Sequence, residues 1–141
     1  MKDKYFLDTN VLVYCFLSAE REKHARSMDL VDDALNKNAG LISYQVVQEF
    51  LNLAVNKFVG QFRPQDLRIV LEKAIYPLCD IMPSMELYQE ALELKAETGY
   101  HFYDSLILAS AIEAQCGVLY SEDFQADQNV RGLRIVNPFR S

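Results

Sequence analysis

Four acids are set apart by what flanks them: Asp8, Glu49, Asp104 and Asp123. Asp8 ends the run Tyr5-Phe6-Leu7 and is followed by Thr9, Asn10 and the apolar stretch from Val11 to Leu17. Asp123, with Glu122 beside it, follows Gly117-Val118-Leu119-Tyr120-Ser121. Asp104 opens an apolar stretch, and Glu49 lies in a segment of helical periodicity. Acids at the carboxyl ends of buried strands sit where open parallel sheets place their ligands. Two carboxylates ~4 Å apart repel by about 4 kcal/mol at an effective dielectric near ~20, so a cluster of them favours a bound cation. Hard oxygen ligands suit Mg²⁺ or Mn²⁺, which keep several waters and bind through a few carboxylates plus phosphate oxygens. A cation so held polarises a phosphodiester and supplies a hydroxide nucleophile, which makes metal-assisted hydrolysis the fitting reaction class. Each acid also has a plainer role. Asp8 and Asp104 can cap or complement helix N-termini, Glu49 can be a solvated charge, and Asp123 can be a turn residue.

The elements that must position these acids follow from periodicity and breakers. Tyr5-Phe6-Leu7 reads as a short buried strand, and Val11 to Leu17 opens a helix. Glu22 to Asn38 reads as a surface helix stopped at Asn38-Ala39-Gly40, with Gly40 suited to the position after its end. Leu41-Ile42-Ser43 is a second strand. Tyr44 to Phe58 is an amphipathic helix with Val47, Phe50, Leu51, Ala54 and Phe58 on the core face; Gln45, Glu49, Asn52 and Asn56 lie opposite. Pro64 opens a helix to about Tyr76, and Pro77 marks its end. Asp80-Ile81-Met82-Pro83 is a weak strand. Ser84 caps a helix that Gly99 ends, with half of a capping box because Leu87 stands where Glu or Gln would complete it. After the aromatic loop 100–103, the helix from Asp104 to about Gln115 is apolar nearly all round and therefore buried. Gly117 to Ser121 and Leu133 to Val136 are the fourth and fifth strands. Strands alternating with helices give an α/β fold around a parallel central sheet of about five strands, as one domain over residues 1–141. Asp8 and the pair Glu122-Asp123 then share one edge, within reach of Asp104.

Bulk composition narrows the partners. The net charge is −6, with half the residues hydrophobic and 24% charged. An acidic chain lacks the broad electrostatic footprint of a nucleic-acid binder, yet phosphate contacts need only a local basic patch or a bound cation. Loose basic groups are Arg21, Lys23 and Arg26; Lys57, Arg63 and Arg68; and Arg131, Arg134 and Arg140. Cys15, Cys79 and Cys116 are far apart in apolar contexts, as expected of buried reduced thiols in a cytoplasmic protein. No apolar run approaches a membrane span, and no signal peptide pattern opens the chain. His101 and His24 read as loop and surface histidines rather than general acids or bases. There is no G-x-S-x-G and no Cys–His pairing for a covalent hydrolase.

The motifs resemble those of the PIN-domain family, in particular its VapC-like toxin ribonucleases. Phe6-Leu7-Asp8-Thr9-Asn10-Val11-Leu12 resembles the first acidic motif, and Gln48-Glu49-Phe50 the second. Tyr103 to Ala111 is similar to the third, and Leu119-Tyr120-Ser121-Glu122-Asp123-Phe124 to the fourth. The ending Gly132 to Phe139 is like one branch of that family. The resemblance implies a three-layer α/β/α sandwich and Mg²⁺-dependent cleavage of RNA, with Mn²⁺ a possible substitute. In that reading Asp8, Glu49, Asp104 and Asp123 form an acidic quartet. Asp8 and Asp104 are metal ligands, Glu49 and Asp123 complete the site directly or through water, and Thr9, Asn10 and Ser121 hydrogen-bond the ligating carboxylates. Glu122 and Asp123 both fit the fourth position. The resemblance further implies a homodimer silenced by an antitoxin protein, whose C-terminal segment lies in a groove lined by residues around 49–78 and brings an Arg to the acids. Two other readings are a phosphatase using Asp8 as nucleophile, which usually needs an Asp where Asn10 stands, and a catalytically silent binding module.

Overall fold

The computed structural model describes residues 3–18 and 20–140. Strand β1, Tyr5–Leu7, lies at the middle of a six-stranded sheet of order β3-β2-β1-β4-β6-β5. Its neighbours are β2, Gly40–Ser43, and β4, Val118–Tyr120, both parallel to it. Strand β3, Cys79–Ile81, extends the sheet beyond β2, and β6, Leu133–Val136, extends it beyond β4, again in parallel. The sheet departs from the all-parallel, five-stranded expectation at one edge. There β5, Asn129–Val130, pairs antiparallel with β6 in a hairpin whose turn residues Arg131 and Gly132 have positive φ. Two residues are too few to show alternation, so the sequence pattern reads this strand as loop.

The helices flanking the sheet are α1 (Thr9–Phe16), α2 (Arg21–Lys37), α3 (Tyr44–Asn56), α4 (Pro64–Val70), α5 (Tyr76–Leu78), α6 (Met85–Thr98) and α7 (Phe102–Glu113). Helix α7 is buried continuously from Ser105 to Ala111, as its apolar circumference predicts, and α6 packs along it. Pro77 does not end the fourth helical segment. A π-helical stretch, Leu71–Ile75, precedes it, and the chain continues as α5 through Leu78. The wider turn shifts the hydrogen-bond register just upstream of the residue that has no N–H to give. Ser84 caps α6 by accepting from the Leu87 amide at 3.0 Å, and Gly99 closes it at φ 81°. The core brings Phe6 and Leu7 of β1 together with Ile42, Phe50, Leu108 and Leu119, all fully enclosed.

Gly40 has a different task from the expected one. Asn38, at φ 53°, takes the left-handed position after α2, while Gly40 is the first residue of β2, paired with Tyr5. A Cβ on Gly40 would stand 2.5 Å from the Ala34 Cβ and 2.6 Å from the Tyr5 ring. The ring cannot swing aside freely, because its hydroxyl donates to the Leu30 carbonyl at 3.1 Å. Gly40→Ala should therefore destabilise the protein by about 1–3 kcal/mol, the usual range for overpacking a filled site. Thermal melting checks it. Adding Ala34→Gly should leave the double variant less destabilised than the sum of the two single changes.

Candidate active site

The strand order reverses at β1, which has β2 on one side and β4 on the other. That is the switch point at which open α/β sheets form a crevice beyond the strand carboxyl ends. Asp8 leaves β1 there. Its amide donates to the Tyr120 carbonyl at 3.1 Å, and its Oδ1 accepts from the Thr9 amide at 2.7 Å, capping α1. Its Oδ2 accepts from the Ser121 hydroxyl at 2.7 Å. Cap and site residue are thus the same side chain. Asp8 is 6% exposed, and burial pushes its carboxyl up to about 7. The Ser121 and Thr9 hydrogen bonds work against that rise, while the charges of Asp123 and Glu49 add to it.

Glu49 is not a free surface charge. It is half-buried, and its Oε1 accepts from the Thr9 hydroxyl at 2.5 Å. Gln45, one turn earlier on α3, donates through Nε2 to Glu49 Oε2 and to the Tyr103 carbonyl, both at 3.1 Å. Gln45 therefore ties α3 to the first turn of α7, a link that its place on the polar face of the helical wheel does not reveal. Its spacing of four residues from Glu49 was the available signal.

Asp104 is in the first turn of α7 rather than at its start, because the helix begins at Phe102 with His101 as cap. His101 is more than the loop residue expected. Its Nδ1 accepts from the Asp104 amide at 3.5 Å, and its Nε2 lies 2.8 Å from Asp104 Oδ2. Burial raises the Asp104 carboxyl pKa; His101 opposes the rise, and Asp123 and Glu49 add to it. His101→Ser keeps a capping oxygen but removes the contact to the carboxylate. In the metal-dependent reading proposed below, it should weaken the apparent Mg²⁺ affinity by about tenfold with little loss of metal-free stability, read from melting curves across a Mg²⁺ series.

Asp123 Oδ2 accepts from Asn10 Nδ2 at 3.1 Å, and the Asp123 amide donates to the Ser121 hydroxyl at 3.1 Å. Glu122 is turned to other work. It accepts from the Tyr14 hydroxyl at 2.6 Å and pairs with Lys23 Nζ at 3.0 Å, with that lysine over the Tyr14 ring. Asp123 is tied to Asn10 and Ser121, and the Ser121 hydroxyl also donates to Asp8, so of the two neighbouring acids Asp123 is the one linked to Asp8. Thr9 thus links Asp8 to Glu49, and Ser121 with Asn10 links Asp8 to Asp123, while Asp104 has His101 as its partner.

Thr9, Asn10, Glu49 and Asp123 line one cleft of about 610 Å³ with Asn52 and Lys57. Each acid rests on a neutral or histidine donor. Among the described residues no three His, Cys, Asp or Glu side chains converge closely enough to hold a metal ion as placed. The donor set still suits Mg²⁺, which dehydrates reluctantly and binds through one or two carboxylates. Asn10 Oδ1 is buried without a partner, an acceptor suited to a metal-bound water. Among the described residues no helix is long and apolar enough to cross a membrane, and the three cysteines are free.

A mostly parallel α/β sheet with acids at its switch point defines a class of fold, and comparison with known proteins gives the family. The PIN domain model matches residues 5–130, so this chain belongs to the PIN domain family. The fold is shared with a toxin–antitoxin complex from Klebsiella pneumoniae at a TM-score of 0.68 and 20% identity, over 96% of this chain and 98% of that one. It is shared with Mycobacterium tuberculosis VapC20, a Sarcin-Ricin loop cleaving toxin, at 0.63 and 19%, over 85% and 90%. VapBC2 from Rickettsia felis, bound to a DNA fragment from its promoter, matches at 0.64 and 20%, over 93% and 96%. No curated protein matches this chain.

Proposed function

We propose that this chain is a Mg²⁺-dependent endoribonuclease and the toxin of a toxin–antitoxin pair. The observation that carries the proposal is the buried Asp8 carboxylate at the end of β1, coupled electrostatically to Asp123 and Glu49 on the switch-point edge of a PIN fold. The description of the Mycobacterium tuberculosis neighbour as a Sarcin-Ricin loop cleaving toxin supports the reaction. The toxin–antitoxin complexes among the neighbours support the biological setting.

When bound, the cation would polarise the phosphodiester and lower the pKa of a water. Asp8 and Asp104 would hold it, with Glu49 and Asp123 completing the site directly or through water. Thr9 and Gln45 fix Glu49, which leaves that carboxylate placed to orient the attacking water. Ser121 and the Thr9 amide hold Asp8 in one rotamer, so the reacting groups meet a preset array rather than a mobile one. The antitoxin segment would lie in the apolar trough that includes Leu51, Val55, Val59, Phe62 and Leu67, inside the span 49–78, and an Arg from it would reach the acids. A homodimer in the cytoplasm belongs to the same proposal.

One observation favours a catalytically silent module instead, namely that no three of the acids converge as placed. A single experiment separates the readings. RNA, DNA of the same sequence and a small phosphate monoester are incubated with the protein, with Mg²⁺ and with excess chelator. RNA should be cut with Mg²⁺ only. Chelator-resistant cleavage would remove the metal reading, phosphate release from the ester alone would indicate a phosphatase, and no turnover at all would leave the silent module.

A further inference from the structure

The cleft beside the acids is lined by carboxylates and by donors together. Glu20, Glu49, Glu122 and Asp123 line it, with Glu122 held by Lys23 and Tyr14. Asn52 follows Glu49 by three residues on α3, and Lys57 and Phe58 follow where that helix ends. An RNA strand brings one phosphate per nucleotide along this cleft, and the carboxylates repel each phosphate that the cation does not neutralise. A flanking phosphate therefore needs donors farther along the cleft.

Four of the nine cations grouped along the sequence are committed elsewhere. Lys23 holds Glu122 and Tyr14 at 3.0 and 3.2 Å, Arg63 holds Asp66 at 2.8 Å, and Arg131 is clamped by Glu90 and Glu97. Arg26 donates to the Pro138 carbonyl at 3.3 Å. Lys57 is the one lysine or arginine in the cleft wall, and among the described residues it pairs with no acid. It lies at the C-cap of α3, its Nζ 5.6 Å over the Phe58 ring. Asn52 Oδ1 accepts from Asn56 Nδ2 at 2.6 Å, which fixes the amide and leaves Asn52 Nδ2 as a donor. Asn52 also lines the shallower depression beside Glu49 and Tyr103, so it stands between the acids and Lys57.

We propose that Lys57 Nζ and Asn52 Nδ2 form a subsite for an RNA backbone phosphate next to the one being cut. This rests on the ribonuclease reading above and adds the groups that seat the substrate. A merely structural role for Lys57 also exists, since a cation at a helix C-terminus complements the helix dipole. The two roles differ in what they do to RNA.

The test is steady-state cleavage of a single-stranded RNA oligonucleotide at saturating Mg²⁺ across a salt series. The same measurement is made on oligonucleotides in which one phosphate at a time is an uncharged methylphosphonate. Lys57→Ala should raise KM about tenfold, in keeping with loss of one charge-assisted contact, and Lys57→Arg should recover most of it. The slope of log(kcat/KM) against log salt should fall by about 0.7, the share of one phosphate on a single strand. One methylphosphonate position should penalise the wild type and leave Lys57→Ala unaffected, and Asn52→Leu should blunt the same position. A wild type that cleaves RNA while Lys57→Ala keeps its KM, its salt slope and its methylphosphonate profile would overturn the subsite alone. A wild type that leaves RNA intact with Mg²⁺ would overturn the ribonuclease reading and the subsite with it.

Discussion

Asp8→Asn should lower Mg²⁺-dependent RNA cleavage by about 10³-fold and yet make the metal-free protein harder to melt at pH 8. The activity loss follows from the charge removed. A metal-held carboxylate supports several kcal/mol of transition-state charge stabilisation, and each ~1.4 kcal/mol is a factor of about ten in rate. The gain in stability comes from the same side chain. Wild-type Asp8 must be ionised at pH 8 although it is 6% exposed and faces the charges of Asp123 and Glu49. Asn at this position retains an oxygen for the Thr9 amide and carries no charge into the sheet edge. The change has a cost at Ser121, whose hydroxyl donates to Asp8 Oδ2 and accepts from the Asn10 side chain and the Asp123 amide. An amide nitrogen in place of Oδ2 leaves that hydroxyl proton without its acceptor, a loss of about 1 kcal/mol. The expected net is a rise of roughly 3–10 °C in metal-free Tm at pH 8, and no rise near pH 4, where wild-type Asp8 is protonated as well. Mg²⁺ should raise the Tm of the wild type and leave that of Asp8→Asn nearly unchanged. Equal Mg²⁺ responses would show that Asp8 is not a ligand.

Much of this site is legible in the sequence because two of its acids terminate strands. Phe6 and Leu7 carry no polar side-chain atom and Tyr5 spends its hydroxyl on the Leu30 carbonyl, so the run becomes a central strand and the residue after it has to emerge at the edge. The same holds for Leu119 and the loop after Tyr120. Helical acids are harder to place. A helical wheel puts Glu49 opposite the core stripe but does not show what stands against that face, and Thr9, 40 residues away in sequence, stands there. The sequence points to Asp104 as the opening of its helix, and the helix starts earlier because His101 supplies a capping nitrogen in a position where Ser, Thr, Asp or Asn is the usual signal. The stop signal 38–40 points to Gly40 where Asn38 serves, since both residue types tolerate the left-handed region and only the close approach of Ala34 and Tyr5 separates them. Glu122 and Asp123 could not be told apart by motif. Lys23 and Tyr14, brought over by α1 and α2, claim the first and leave the second to the site.

The metal-free protein should lose stability as pH rises from about 4 to 7, by on the order of 4 kcal/mol from Asp8 alone. In the unfolded chain Asp8 gives up its proton near 3.8; in the folded protein burial delays that to about 7. Between those values the folded state binds more protons than the unfolded one, so stability is full below the lower value and is lost on the way to the higher. Asp104 is shifted in the same direction by the same main cause, burial, and adds to the fall. Asp66 and Glu97 are shifted the other way by the hydrogen bonds of Arg63 and Arg131. Their contributions are complete above the ordinary carboxylate values and are lost as pH falls through their lowered folded-state values, so they offset Asp8 only at the acid end of its window. Denaturant unfolding at a series of pH values with chelator present measures the slope. Asp8→Asn should flatten most of it. Mg²⁺ should oppose it, because the ion binds the carboxylate form and its stabilising effect therefore grows with pH. A slope in chelator that survives Asp8→Asn unchanged would mean that the buried carboxylate is not the group being titrated.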